Sequence, residues 1–181
     1  SNLIKPHNTV LIKPDLYFST EPNLAKTTNP HIIVALADLD PAKRAGDVSS
    51  VIGNIGNADN SQPLNMTGIT TYESGYDLIN DPNVDVVDIC CPTPDHAGLI
   101  IAALKAGKHV FAEKPFARNL EQAAEIKAAY LEAKTYLNFG MCVRCWPEYR
   151  YAYEQYTAGA FGKLRSATFR RLSPSIAGNN W

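Results

Sequence analysis

Apolar residues follow two periods along this chain: short β-branched runs, and longer segments with helical spacing. Val84 to Cys91 is dominated by valine and isoleucine, the pattern of a strand buried on both faces of a parallel sheet. Leu99, Ile100, Ala103 and Leu104 then recur at helical intervals. Thr93 is placed to cap that helix, Pro94 fits its first turn, and Asp95 sets a negative charge at the positive end of the helix dipole. Lys105 in the last turn and Gly107 beyond it stop the helix. His109 to Ala112 is a second short apolar strand. Strand, helix and strand in this span make one right-handed crossover with parallel strands. The expected class is α/β, built on a parallel sheet.

The flanking segments are read the same way. Val10, Leu11 and Ile12 offer a short strand, but Pro6, Pro14, Pro22 and Pro30 interrupt residues 1–30, which hold no glycine. His31 to Ala37 is strand-like and ends at Asp38, and Pro41 to Val51 suggests a short helix carrying Lys43 and Arg44. Residues 53–68 are polar and read as an exposed loop. Ile69 to Tyr72 begins the next element, and Tyr76, Leu78 and Ile79 mark a short helix ending at Asp81-Pro82. Asn119 and Gln122 resemble a capping box, with Ala123, Ile126, Tyr130 and Ala133 on the buried face of the helix that follows. Tyr136 to Val143 is the next strand candidate, with Arg144 at its carboxyl end. A helix from Trp146 to about Thr157 follows, its tyrosines read as packing residues. Leu164 to Leu172 then alternates like a half-exposed antiparallel strand.

Composition narrows the class. At 181 residues the chain suits one ordinary domain plus part of another, divided here as 1–143 and 144–181. A net charge of −1 without a basic block argues against nucleic acid or an anionic membrane as partner. No apolar run approaches the ~18 residues of a membrane span, and no signal peptide is evident. Ser1 in place of methionine reads as a trimmed amino end. Cys90, Cys91, Cys142 and Cys145 read as buried thiols of a cytoplasmic protein. Cys142 and Cys145 have C-x-x-C spacing, but no second pair or nearby histidine completes a metal site, and none is assigned.

Candidate chemistry gathers at the carboxyl ends of the two central strands, where open parallel sheets bind ligands. Pro92, Thr93, Pro94 and His96 follow the first; Glu113, Lys114 and Pro115 follow the second. Asp38, at the end of an earlier strand, is placed to accept from adenosine ribose hydroxyls and to repel a 2′-phosphate. The glycine-rich turn that should precede such an acid by about twenty residues is missing. Gly53-Asn54-Ile55-Gly56 follows the acid and is no substitute. Without glycines, backbone N–H groups lose their approach to a pyrophosphate, so weak dinucleotide binding, or none, is expected.

Pro-Thr-Pro-x-His followed by Glu-Lys-Pro resembles the signature of the glucose–fructose oxidoreductase / inositol dehydrogenase (Gfo/Idh/MocA) family, with the likeness running from roughly His31 to Trp181. The resemblance implies NAD as cofactor, with NADP not excluded, and hydride transfer at a carbinol carbon of a sugar or cyclitol. It implies Lys114 as the catalytic group nearest the reacting carbon and Glu113 on the nicotinamide ribose. Pro92, Thr93 and His96 would face the cofactor, and Arg144 the crevice. The fold it implies is a Rossmann-like doubly wound parallel sheet followed by the start of a second α+β domain; residues 144–181 would begin that substrate and oligomerisation domain, through which a homo-oligomer could form. The family's Asp-x-x-x-His motif is absent from the sequence, and its glycine fingerprint is unrecognisable. Both ends therefore read as incomplete, and a non-catalytic nucleotide- or sugar-binding module, or an interaction fragment, stays open beside the enzyme.

Overall fold

The computed structural model describes residues 10–12, 34–49 and 63–170. They divide into two compact units, one ending at Gly140 and one beginning at Met141.

The first unit is built on parallel strands. β1 (Val10–Ile12), β4 (Val86–Ile89), β5 (His109–Ala112) and β6 (Leu137–Phe139) form one sheet in the order β1-β4-β5-β6. β2 (Ala35–Ala37) pairs in parallel with β3 (Thr70–Tyr72), and β2 also contacts β1. The spatial order β3-β2-β1-β4-β5-β6 is that of the doubly wound dinucleotide-binding fold. Val10 to Ile12 is thus a strand despite the prolines around it, aligned with Val86 to Asp88. The expected crossover is present: Val86 aligns with His109 and Ile89 with Ala112, both strands running the same way. Residues 13–33, where a glycine-rich turn ahead of Asp38 would stand, and residues 53–62 of the expected loop lie outside the described residues.

Helices follow the strands. α1 (Pro41–Arg44) is one turn, shorter than expected, capped by Asp40 Oδ1 accepting from the Ala42 N–H at 2.9 Å. α2 (Gly75–Ile79), α3 (Thr93–Lys105) and α4 (Leu120–Glu132) pack in sequence, α2 on α3 and α3 on α4. Leu78, Ile79, Ala97, Ile100, Ala103, Leu104 and Ile126 from these helices meet Val87, Ile89, Val110 and Ala112 from the strands in one core. β4 and β5 alternate, Val87, Ile89, Val110 and Ala112 being buried while Phe111 is exposed. The expectation of a strand buried on both faces is met on one: among the described residues the helices cover the face of Val87 and Ile89, while Val86 and Asp88 on the other are half-buried.

Thr93 does not cap α3. Pro92 occupies the cap without a side-chain bond, and Thr93 is the first helical residue. The other end is as expected: the Lys108 N–H donates to Ala103 O and the Gly107 N–H to Leu104 O, with Gly107 at φ 74°, a Schellman closure. In α4, Asn119 Oδ1 accepts from the Gln122 N–H at 2.9 Å, and Gln122 Oε1 reaches back to the Arg118 N–H at 3.0 Å. That is a capping box displaced by one residue on its return arm. Ala129 and Ile126 are buried on α4, whereas Tyr130, expected on the same buried face, is exposed.

In the second unit, Cys142–Cys145 is a 3-10 helix and α5 (Pro147–Thr157) follows. The strand expected over residues 136–143 stops at Phe139, so Arg144 lies in the 3-10 turn and not at a strand end. Tyr149, Tyr151, Tyr153 and Tyr156 are exposed, as are Cys142 and Cys145, correcting their assignment to packing and to buried thiols. Residues 164–170 are exposed and carry no strand, since among the described residues no partner strand lies alongside them. No helix of the described residues is long and apolar enough to cross a membrane.

Candidate functional site

The carboxyl ends of β2 and β4 border a cavity of about 430 Å³. Ala37, Asp38 and Leu39 form one wall, Cys90, Cys91 and Pro92 another. Ser74 and Tyr76 at the start of α2, with Asp95 and Leu99 of α3, complete it. Asp38 is reached because β2 ends there: its N–H donates to Tyr72 O at 3.2 Å, the last rung against β3. Its Oδ1 accepts from the Asp40 N–H at 3.0 Å, which turns the carboxylate along the chain. Arg44 folds back from α1 and donates to the Asp38 carbonyl at 2.6 Å and the Leu39 carbonyl at 3.0 Å. Its guanidinium thus braces the strand end, while Lys43 lines the cavity. Tyr76, read from the sequence only as a helix residue, lines the cavity, and its hydroxyl lies 2.7 Å from where a Cβ on Gly98 would stand. The signal was a glycine inside a helical pattern, which commonly marks close packing.

The Glu-Lys-Pro turn begins where β5 ends. The Glu113 N–H donates to Ile89 O at 2.9 Å, which puts the turn at the same sheet edge as the Pro92 loop. The Glu113 side chain curls so that Oε2 accepts from the Lys114 N–H at 3.0 Å. Its carboxylate lies over Gly140, where an added Cβ would come within 3.0–3.1 Å of three of its atoms. Lys114 is exposed, and its bond to Pro115 is cis. Phe116 stacks on Phe139 of β6 with ring centroids 4.5 Å apart.

His96 departs from expectation. It is 1% exposed, and both its ring nitrogens lie against backbone carbonyls instead of facing a cofactor. Nδ1 lies 2.8 Å from the Pro115 carbonyl oxygen and Nε2 2.7 Å from the Cys91 carbonyl oxygen. The structure therefore brings Asp38 and Pro92 onto one cavity, and ties the Pro92 loop to the Glu113–Lys114 turn. Thr93, Glu113 and Lys114 are not among that cavity's lining residues. Arg144 belongs to the second unit.

Comparison with known proteins agrees with this geometry. Residues 32–140 match the model of the Gfo/Idh/MocA family, described as an oxidoreductase family with an NAD-binding Rossmann fold. The chain is 34% identical over 143 residues to an inositol 2-dehydrogenase/D-chiro-inositol 3-dehydrogenase of Lactiplantibacillus plantarum, covering 77% of this chain and 36% of that protein. It is 32% identical over 131 residues to the inositol 2-dehydrogenase of Rubrobacter xylanophilus, covering 72% and 33%. Among solved structures it resembles scyllo-inositol dehydrogenase from Lactobacillus casei with bound NAD(H) and scyllo-inositol, with a TM-score of 0.58 and 25% identity. That likeness covers 75% of this chain and 36% of the other. The chain spans about a third of the length of the curated relatives it matches.

Proposed function

The chain belongs to the Gfo/Idh/MocA oxidoreductase family, and on that footing we propose that it forms the NAD-binding part of a cyclitol or sugar dehydrogenase. The observation that carries this reading is the cavity at the carboxyl ends of β2 and β4, with the Asp38 carboxylate on its wall. A doubly wound sheet binds dinucleotide at such a place. The donor set fits: Asp38 would accept from the adenosine ribose hydroxyls, and Pro92 and Thr93 would border the cofactor along the β4 loop. Glu113 would hold the nicotinamide ribose. Bound NAD would supply hydride acceptance from a carbinol carbon. Lys114, exposed on the turn beyond β5, would hydrogen-bond the substrate oxygen and take part in moving its proton. The inositol relatives make a polyhydroxylated ring the favoured substrate class.

The test is titration of this chain with NADH and NADPH, followed by the same titrations of Asp38→Ala. Weak but saturable NADH binding, with a Kd between about 0.1 mM and about 1 mM, is expected, since residues 1–30 offer no glycine to cradle phosphates. NADPH should bind at least about tenfold more weakly, and Asp38→Ala should narrow that gap. No saturation by NADH at millimolar concentration, or a preference for NADPH, overturns the assignment.

A further inference from the structure

We infer that His96 is a positioning residue that locks the Glu113–Lys114 turn to the Pro92 loop, so that both present one preformed edge to the cofactor; this rests on the function proposed above. The ladder between β4 and β5 ends with the Glu113 N–H bonded to Ile89 O. Past that rung the two loops diverge, one entering α3 and the other running towards α4. The imidazole spans them, its two nitrogens at 2.8 Å and 2.7 Å from carbonyl oxygens of Pro115 and Cys91. Both partners are acceptors, so a ring with one N–H satisfies one carbonyl and a ring with two satisfies both. No amide side chain copies this: Gln can offer its N–H groups from one atom only, not from opposite edges of a rigid ring.

Two further contacts hold the same turn from the β6 side. Phe116 stacks on Phe139, and the Glu113 carboxylate rests over Gly140. Lys114, between the residues so held, is exposed. The turn is therefore fixed at Glu113, Pro115 and Phe116 while its lysine faces out, which suits a group that must meet a ligand in one orientation. Freed of His96, the Pro115 and Cys91 carbonyls would take water or new partners, and the turn would lose its register against the β4 loop.

The experiment compares His96→Ala, His96→Gln and the core control Ile126→Ala by backbone-amide NMR of the free chain and by NADH titration. Ile126 is buried in α4, and truncating it provides a stability loss while leaving both hydrogen bonds of His96 in place. His96→Ala should displace the amide signals of Lys114, Phe116 and Ala117 and weaken NADH at least about tenfold. His96→Gln should show smaller effects on both. Ile126→Ala should lower the melting temperature yet leave NADH affinity within about twofold. Unmoved amides over residues 113–117 in His96→Ala, or equal loss of affinity in Ile126→Ala, overturns the inference. If His96→Ala does not fold, His96→Gln against Ile126→Ala decides by the same criteria. If the unaltered chain fails to bind NADH, the proposed function falls, and the amide displacements alone decide the role of His96.

Discussion

Gly140→Ala should separate binding from stability at this site. A Cβ on residue 140 would stand 3.0 Å from Glu113 Oε2 and 3.1 Å from its Cδ and Oε1, tighter than an ordinary carbon contact. The obstruction is the end of a flexible side chain, so the carboxylate would swing aside and the backbone would stay. Gly140 is outside the left-handed region, and its N–H bond to Ala112 O at 2.9 Å survives the change. Swinging aside breaks the bond from the Lys114 N–H to Glu113 Oε2. That loss is partly replaced by water at an exposed turn, leaving a cost of about 0.5–1.5 kcal/mol. Restricting the unfolded chain returns about 0.4–1 kcal/mol. Stability should therefore change by no more than about 1 kcal/mol. Cofactor binding should respond differently. A carboxylate hydrogen bond to a ribose is worth about 1.5–3 kcal/mol, so displacing Glu113 should weaken NADH by about ten- to a hundredfold. Urea denaturation and NADH titration of the same preparation measure the two effects. Unchanged affinity would refute the role given to Glu113, and destabilisation beyond about 3 kcal/mol would refute the claim that only a side chain moves.

Away from the site, two further outcomes follow from the amino ends of the strands. Lys108 donates to the carbonyls of Asp81 (2.7 Å) and Val84, so Lys108→Met should cost about 1.5–3 kcal/mol in urea unfolding at unchanged m-value. Asp81 accepts from the Asn83 N–H at 2.8 Å and from the Tyr72 hydroxyl at 2.8 Å. These bonds, the Asn83 backbone first, hold its carboxyl below the usual carboxylate range despite partial desolvation. A depressed folded-state pKa contributes stability that is present above the unfolded value and lost as pH falls through the folded one. The urea midpoints of the wild type and Asp81→Asn should thus differ at neutral pH and converge in acid. A gap that persists unchanged into strong acid would count against the carboxylate.

Local signals carried much of this fold. The valine-rich run before Pro92, the helical spacing from Leu99 to Leu104 and the glycine at 107 specify strand, helix and stop within one crossover. Connection handedness then makes the strands parallel. Because side chains after a strand's carboxyl end emerge at one edge, the Pro92 loop and the Glu113–Lys114 turn could be placed together from sequence alone. Asp38 was legible for the same reason. Strand boundaries were less so: β6 stops at Phe139 because ladder pairing, not the apolar run continuing to Val143, decides where a strand ends.

Tertiary packing decided the rest. A histidine in a first helical turn reads as cofactor-facing or as a surface side chain. Only the approach of Pro115, from 19 residues along the chain, turns His96 inward and uses both its nitrogens. The seat of Glu113 on Gly140 likewise joins two strand ends that no local pattern relates, and Tyr76 of α2 meets α3 at Gly98 with β4 between them in the chain. Periodicity and capping act between near neighbours, so they fix which elements form and which edge the loops share. Contacts between loops depend on how the sheet brings distant carbonyls and side chains within hydrogen-bonding reach, and that geometry exists only once the strands have paired.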